Sequence, residues 1–271
     1  MTTAIWWLRR DLRLADNPAL AHALSYAGRV VPVFILDDRL LNSPYSGARR
    51  ISFLLEGLRR LDDDLRARGS RLIIRRGRPE TELARLNDEV NASRVFAQQD
   101  CSPFATRRDH SVAQYVPLTL VEGVSALPLG AVRKENGEPY TVFTPYSRRW
   151  KALWRQSMPA LLPAPDRIDT PPGIHSEALP DDPLPERAAA HFIAGEKAAQ
   201  DALRAFVAPD GPIFCYKDHR DRPDLDATSR LSPCLRFGVL SPRMAARVAT
   251  EAMDAAQDEE ARLGAETWLN E

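Results

Sequence analysis

Cysteine is scarce in this chain. Cys101, Cys215 and Cys234 stand apart with no C-x-x-C spacing, which excludes a disulfide framework and a cysteine zinc site and suits a reducing compartment. The five histidines, His22, His110, His175, His191 and His219, show no ligand spacing, so no metal is assigned. Charge of one sign is missing too. Lys plus Arg and Asp plus Glu number 37 each, so there is no global basic footprint, and any contact with nucleic acid has to be a local patch. No run of 18 apolar residues occurs, and Met1-Thr2-Thr3 leads directly into a strand-like segment without a signal peptide. The expectation is a cytoplasmic protein with no membrane partner. No G-x-G-x-x-G follows the first apolar run, so the usual dinucleotide fingerprint is absent.

What is present reads as a globular chain, 44% hydrophobic and 27% charged over 271 residues, long enough for one large or two medium domains. Short apolar runs of strand length at 4–8, 29–36, 72–74, 94–97 and 118–121 alternate with helix-like segments. The clearest helix spans 49–68, where Ile51, Leu54, Leu55, Leu58, Leu61 and Leu65 repeat every three or four residues and Gly69 follows. Others are expected after Asp16-Asn17-Pro18, over 80–87 and over 107–114. Alternation of this kind predicts an α/β domain over 1–130, a parallel sheet with helices on both faces. Ligands of such sheets sit beyond the carboxyl ends of the strands, here at Arg9-Arg10-Asp11, Asp37-Asp38 and Gln98-Gln99-Asp100.

Residues 131–194 are expected to be a linker between domains. Eight of the 22 prolines fall within 159–185, without apolar periodicity, and the segment should run extended over the first domain. Helices are expected over 195–206 and 258–271, and the second lacks a C-terminal stop signal. Between them, Asp226 to Arg243 holds the densest local chemistry. Ser232-Pro233 and Ser241-Pro242 each suggest a helix N-cap followed by proline at the first helical position. Thr228, Ser229 and Ser232 bring three hydroxyls to such a helix start, a place where a phosphate binds readily; ordinary capping is the other reading of the same residues.

The run Thr228-Ser229-Arg230-Leu231-Ser232-Pro233 resembles the flavin-binding signature of the DNA photolyase/cryptochrome family. Three further segments resemble that family in its order: Trp6 to Leu14 with Asp16-Asn17-Pro18, Val142-Phe143-Thr144-Pro145-Tyr146, and Trp268-Leu269-Asn270-Glu271. The resemblance covers essentially the whole chain. It implies a Rossmann-like N-terminal domain, a Pro-rich linker and the beginning, over 195–271, of an all-α FAD-binding domain, so the chain reads as a fragment ending inside that domain.

The resemblance further implies a deoxyribodipyrimidine photo-lyase, in which reduced FAD drives light-dependent splitting of cyclobutane pyrimidine dimers in UV-damaged DNA. Tyr216, Thr228, Ser229, Arg230, Leu231 and Ser232 match FAD contacts, Arg220 matches a DNA contact, and Glu271 matches the carboxyl group that bonds the dimer bases. An antenna pigment is implied in the first domain. Gln99-Asp100-Cys101-Ser102-Pro103-Phe104 is closer to the pattern of deazaflavin-type members than to the Asn-Glu pair of those binding methenyltetrahydrofolate, with Arg10 and Asp100 as candidates. The expected assembly is a monomer, and the fragment alone is expected to be inactive. The alternatives are a cryptochrome, a flavin photoreceptor without repair activity, and a nucleotide-binding or interaction module without catalysis.

Overall fold

A computed structural model describes residues 1–184, 192 and 194–271. Five strands, β1 (Thr3–Leu8), β2 (Arg29–Leu36), β3 (Ile73–Arg76), β4 (Arg94–Gln98) and β5 (Leu118–Val121), form one parallel sheet in the order β3-β2-β1-β4-β5. In β1, Ala4 lies opposite Val30 of β2 on one side and Arg94 of β4 on the other. Alternation along β1 sends Ala4, Trp6 and Leu8 into one core layer and Ile5 and Trp7 into the other. Both faces being buried, the central strands read as unbroken apolar runs.

Helices α1 (Pro18–Tyr26) and α3 (Ala48–Arg66) cover the first face through Leu20, Leu58, Leu61 and Leu65. A one-turn helix, α2 (Asp38–Leu41), precedes α3. On the second face, α4 (Pro79–Val90) and α5 (Pro103–Val112) contribute Leu83, Leu86 and Val112. The structure shifts some expected limits. α4 reaches Val90 because Asn91 adopts the left-handed conformation that ends it. α5 begins at Pro103, four residues before the expected start, because the Ser102 side chain accepts the Ala105 N–H at 3.3 Å and Pro103 occupies the first turn.

The segment expected as linker contains a helix, α6 (Phe143–Ser157). Trp154 is buried in it and donates its indole N–H to the Thr250 hydroxyl at 2.9 Å, while Lys151 pairs with Glu266 at 2.6 Å. The Trp150-to-Trp154 spacing puts two aromatics on one helix face, where their rings stack 5.7 Å apart. After α6 the chain is irregular to Leu184 and does run along the sheet domain. The Asp16 N–H donates to the Leu162 carbonyl at 2.7 Å, Val30 to that of Asp169 at 2.8 Å, and Glu177 to that of Ile74 at 2.9 Å. Pro185, His191 and most of the expected linker's end lie outside the described residues.

The remaining helices are α7 (Glu196–Phe206), α8 (Tyr216–His219), α9 (Ser232–Phe237), α10 (Pro242–Ala255) and α11 (Glu259–Asn270). They are fastened to the sheet by a buried polar clasp. Asp16, with no exposed surface, receives the Ser241 hydroxyl, the Arg243 guanidinium and, at 3.2 Å, the Leu162 N–H. Arg13 bonds the carbonyls of Asp16 at 2.8 Å and Gly238 at 3.0 Å, and Glu196 accepts the N–H groups of Leu14 and Ala15. Gly238 is left-handed, and a Cβ there would collide with the Arg10 carbonyl, so glycine is required where α9 ends against the loop after β1. Among the described residues no helix is long and apolar enough to cross a membrane.

Candidate functional site

The hydroxyl-rich segment before α9 is bent by Arg230, a non-glycine residue with φ of 51°. That bend places Leu231, not Ser232, at the N-cap position, and no side chain caps the helix. The expected cap at Ser232 is therefore corrected: Ser232 is already in the first helical turn and its exposed side chain makes no capping bond. Ser241 caps as expected, accepting the N–H groups of Arg243 at 3.2 Å and Met244 at 3.3 Å.

Thr228, Ser229, Arg230 and Leu231 line one cavity of about 390 Å³, faced across by Ala198, Ala202 and Ala205 of α7. The small side chains of α7 leave the room, and the bent segment supplies the polar groups. Leu231 is buried in the main core and anchors the segment. The guanidinium of Arg230 pairs with Asp226 at 2.8 Å. Ser232 and Tyr216 do not line this cavity.

Tyr216 belongs to a second group of site residues. It sits edge-on to Phe206, with ring centroids 6.0 Å apart, and four residues later Arg220 pairs with Glu271 at the end of α11. Burial and the charge of Glu271 raise the Tyr216 pKa. Glu271 is itself half exposed. The two groups meet through Trp268, one turn before Glu271 on α11. Trp268 packs against Phe206 with centroids 5.3 Å apart and donates its indole N–H to the Ser229 hydroxyl at 3.2 Å. Trp268 stands in a motif that resembled the family, yet nothing local in the sequence points to Ser229, 39 positions away.

A second cavity, of about 460 Å³, opens at the carboxyl edge of β1, β2 and β4. Arg9, Arg10, Asp37 and Asp100 of the expected strand-end groups line it, while Asp11, Asp38, Gln98 and Gln99 do not. Arg10 and Asp100 are brought to 3.4 Å of each other, and Arg10 also donates to the Arg236 carbonyl at 3.1 Å. Burial works to raise the Asp100 pKa, but the Ser102 N–H and the Arg10 guanidinium outweigh it and hold the carboxyl below its ordinary value. Asp37 caps α2 and accepts the Arg39 fork. Asp11 is buried and accepts the Arg9 N–H at 2.9 Å and the Asn17 amide at 3.3 Å, which ties the loop after β1 to the start of α1. Arg50 and Arg236, which the sequence reading left aside, reach the same cavity from α3 and α9.

The model of the DNA photolyase family matches residues 4–166. A deoxyribodipyrimidine photo-lyase of Streptomyces griseus is 36% identical over 249 residues, which span 89% of this chain and 54% of that protein. A cryptochrome DASH of Natronomonas pharaonis is 30% identical over 90% of the chain and 55% of its own length. An uncharacterized 31.6 kDa protein of a Synechococcus strain is 32% identical, over 98% of this chain and 96% of that protein. Among solved structures, a class III photolyase from Agrobacterium tumefaciens superposes with a TM-score of 0.84 at 28% identity, covering 98% of this chain and 57% of that one. The chain thus spans about half the length of the named photolyase and cryptochrome relatives.

Proposed function

The chain belongs to the DNA photolyase family, and from that premise we propose that residues 1–271 supply the sheet domain, the flavin-phosphate cradle and part of the lesion-binding wall of a deoxyribodipyrimidine photo-lyase acting on UV-damaged DNA. One observation carries the reading. Trp268 bonds Ser229 of the hydroxyl-lined cavity and stands one helical turn before Glu271, which pairs with Arg220.

The cavity fits part of an FAD. Its volume lies at the low end of small-molecule sites, its walls join alanines to hydroxyls and a guanidinium, and the phosphate-bearing half of a dinucleotide suits that donor set. Bound and reduced, FAD supplies the light-excited electron that opens the cyclobutane ring. Thr228 and Ser229 donate hydroxyls toward phosphate oxygens, and Arg230 adds a cation once phosphate takes the place of Asp226, which lines the same cavity and pairs with it at 2.8 Å. Ser232 has no capping duty and lies outside the cavity lining, so its phosphate role rests on the resemblance alone, and Tyr216 stands beyond Phe206. Arg220 offers a cation to the DNA backbone. Glu271 presents a carboxyl group to the bases of the lesion. The strand-end cavity, with Arg10 and Asp100, is the site for an antenna pigment, for which a deazaflavin is proposed.

The test is a chimera in which residues 1–271 are joined to the remaining part of the Streptomyces griseus photo-lyase. The purified chimera should hold FAD and split thymine dimers in an oligonucleotide under blue light. A chimera that holds FAD and binds DNA but leaves dimers intact would favour a cryptochrome role. One that holds no flavin would remove the cradle assignment.

A further inference from the structure

The cradle before α9 carries an anion of its own. Among the described residues that line it, Asp226 and Arg230 are the only charged groups, and they are paired with each other at 2.8 Å. The lining is therefore neutral as built, whereas a diphosphate adds negative charge to it. A carboxylate on the one cation of such a site opposes the ligand in two ways: it holds the guanidinium, and it repels the phosphate.

The backbone fixes where both side chains start. Ala227 and Leu231 are buried and anchor the segment, while Asp226, Thr228 and Arg230 face outward between and beside them. The Asp226 and Arg230 side chains are 76% and 54% exposed, so packing holds neither in place. An exposed pair of this kind biases an equilibrium by only a few-fold, and a guanidinium fork matches phosphate oxygens as well as it matches a carboxylate. Ser229 accepts the Trp268 N–H, which leaves its own proton for an incoming oxygen. A second pair of similar exposure, Arg222 with Asp224 at 2.7 Å, lies in the same segment but outside the cavity lining.

We propose that Asp226 is an internal competitor of the flavin diphosphate, a carboxylate that masks Arg230 and sets the affinity of the cradle below what its hydroxyls and its cation alone would give. The inference rests on the cradle reading and adds to it a residue that works against the ligand. Affinity is lowered by the fraction of molecules in which Arg230 is free, and lowered again because the displaced carboxylate stays near a phosphate of like charge. The contrary role for an acidic residue at a dinucleotide site is to accept a hydrogen bond from a ribose hydroxyl. Removing the charge separates the two roles by sign.

The 271-residue chain and its Asp226→Asn, Asp224→Asn, Arg230→Ala and Asp226→Asn/Arg230→Ala variants are titrated calorimetrically at low salt with inorganic pyrophosphate and with ADP, and their thermal midpoints are compared. Asp226→Asn should bind both ligands about 3- to 10-fold more tightly than the unaltered chain at the same thermal midpoint, an advantage that narrows as salt is added. Asp224→Asn makes the same charge change outside the cavity and should stay within about 2-fold of the unaltered chain. Arg230→Ala should bind more weakly, and Asp226→Asn should give a smaller gain on that background, because the carboxylate has no cation left to mask. Unchanged affinity in Asp226→Asn would overturn the competition. Weaker ADP binding in that variant would assign Asp226 to the ribose instead, and an equal gain in Asp224→Asn would reduce the effect to net charge; either result overturns the proposal. Pyrophosphate and ADP binding to none of the five proteins would remove the cradle reading itself, and the competitor with it.

Discussion

The indole N–H of Trp268 donates to the Ser229 hydroxyl at 3.2 Å, tying α11 to the hydroxyl segment that the resemblance assigned to FAD. Trp268→Phe keeps the packing on Phe206 and removes this bond alone. It should cost about 0.5–1.5 kcal/mol in urea unfolding. It should also weaken FAD retention in the chimera, because Ser229 loses the donor that orients it. Trp268→Ala should cost more in stability, although less than the roughly 3–5 kcal/mol of a core tryptophan, since Trp268 is only partly buried. FAD retention unchanged in the phenylalanine variant would show that the bond serves folding alone.

Asp16 allows a cleaner test of the clasp between sheet and helices. Its φ of 51° is one that asparagine tolerates well, so Asp16→Asn changes the charge without straining the backbone. The change leaves the cation of Arg243 without its counter-charge beside the buried Asp16 position, and a buried pair broken on one side costs about 3–5 kcal/mol. Denaturant unfolding should show a loss of that order. A loss below 1 kcal/mol would mean that the clasp is hydrated in solution.

The fold was legible where one face or period dominated. Val30 to Leu36 is buried on both sides and reads as strand, and the leucines of α3 fix its face. α6 was hidden because the proline-rich stretch at 159–185 suggested linker for the whole segment, whereas its stability comes from Trp154 and Lys151 docking on α10 and α11, contacts about 100 positions away in sequence. Ser232 was misplaced because Ser-Pro marks either a cap or a first turn, and the left-handed Arg230 that decides between them has no local signal. The cradle was readable because Thr228 to Leu231 are consecutive. The gathering of Arg10 with Arg236, 226 positions apart, belongs to topology alone.

Cys234 gives a prediction in pH. Burial in the core pushes its thiol up to about 11, above the ordinary value of 9. The neutral thiol is the favoured form in the fold, so the stability it lends is complete below its unfolded pKa and is lost as pH rises through about 11. A thiol reagent at pH 8 should therefore modify the exposed Cys101 and Cys215 quickly and Cys234 only on unfolding. Three equally fast thiols in the native protein would contradict this burial.

Acid should act on Glu266. The Lys151 side-chain bond, ahead of the opposing effect of burial, holds its carboxyl below the ordinary value, and Arg262 helps. A depressed carboxyl stabilises above its unfolded pKa, and that contribution disappears as pH falls through the folded value. The pair is partly exposed, so the effect is on the order of 1 kcal/mol or less. Glu266→Gln should flatten the fall in thermal midpoint below about pH 5. An unchanged acid limb would show that Lys151 and Glu266 are separately solvated.

Glu271 and Arg220 are paired in the protein alone, before any DNA is bound. The pair is about half exposed, so it contributes little to stability, and Glu271→Ala should shift the unfolding midpoint hardly at all. Its electrostatic consequence is larger. Removing the carboxylate frees the Arg220 cation for phosphate, so the chimera's affinity for undamaged duplex should rise a few-fold, with a steeper dependence on salt. Dimer recognition should move the other way, because the carboxyl group proposed to bond the lesion bases is gone. The ratio of damaged to undamaged affinity falls on both counts. Arg220→Ala separates the two roles: it should weaken binding to both DNAs by a similar factor and leave their ratio nearly constant. Anisotropy titrations of dimer-containing and undamaged oligonucleotides at two salt concentrations, followed by repair under blue light with reduced flavin, measure all of these. A Glu271→Ala chimera that keeps its preference for damaged DNA and its repair yield would remove Glu271 from lesion recognition and leave it as the counter-charge of Arg220.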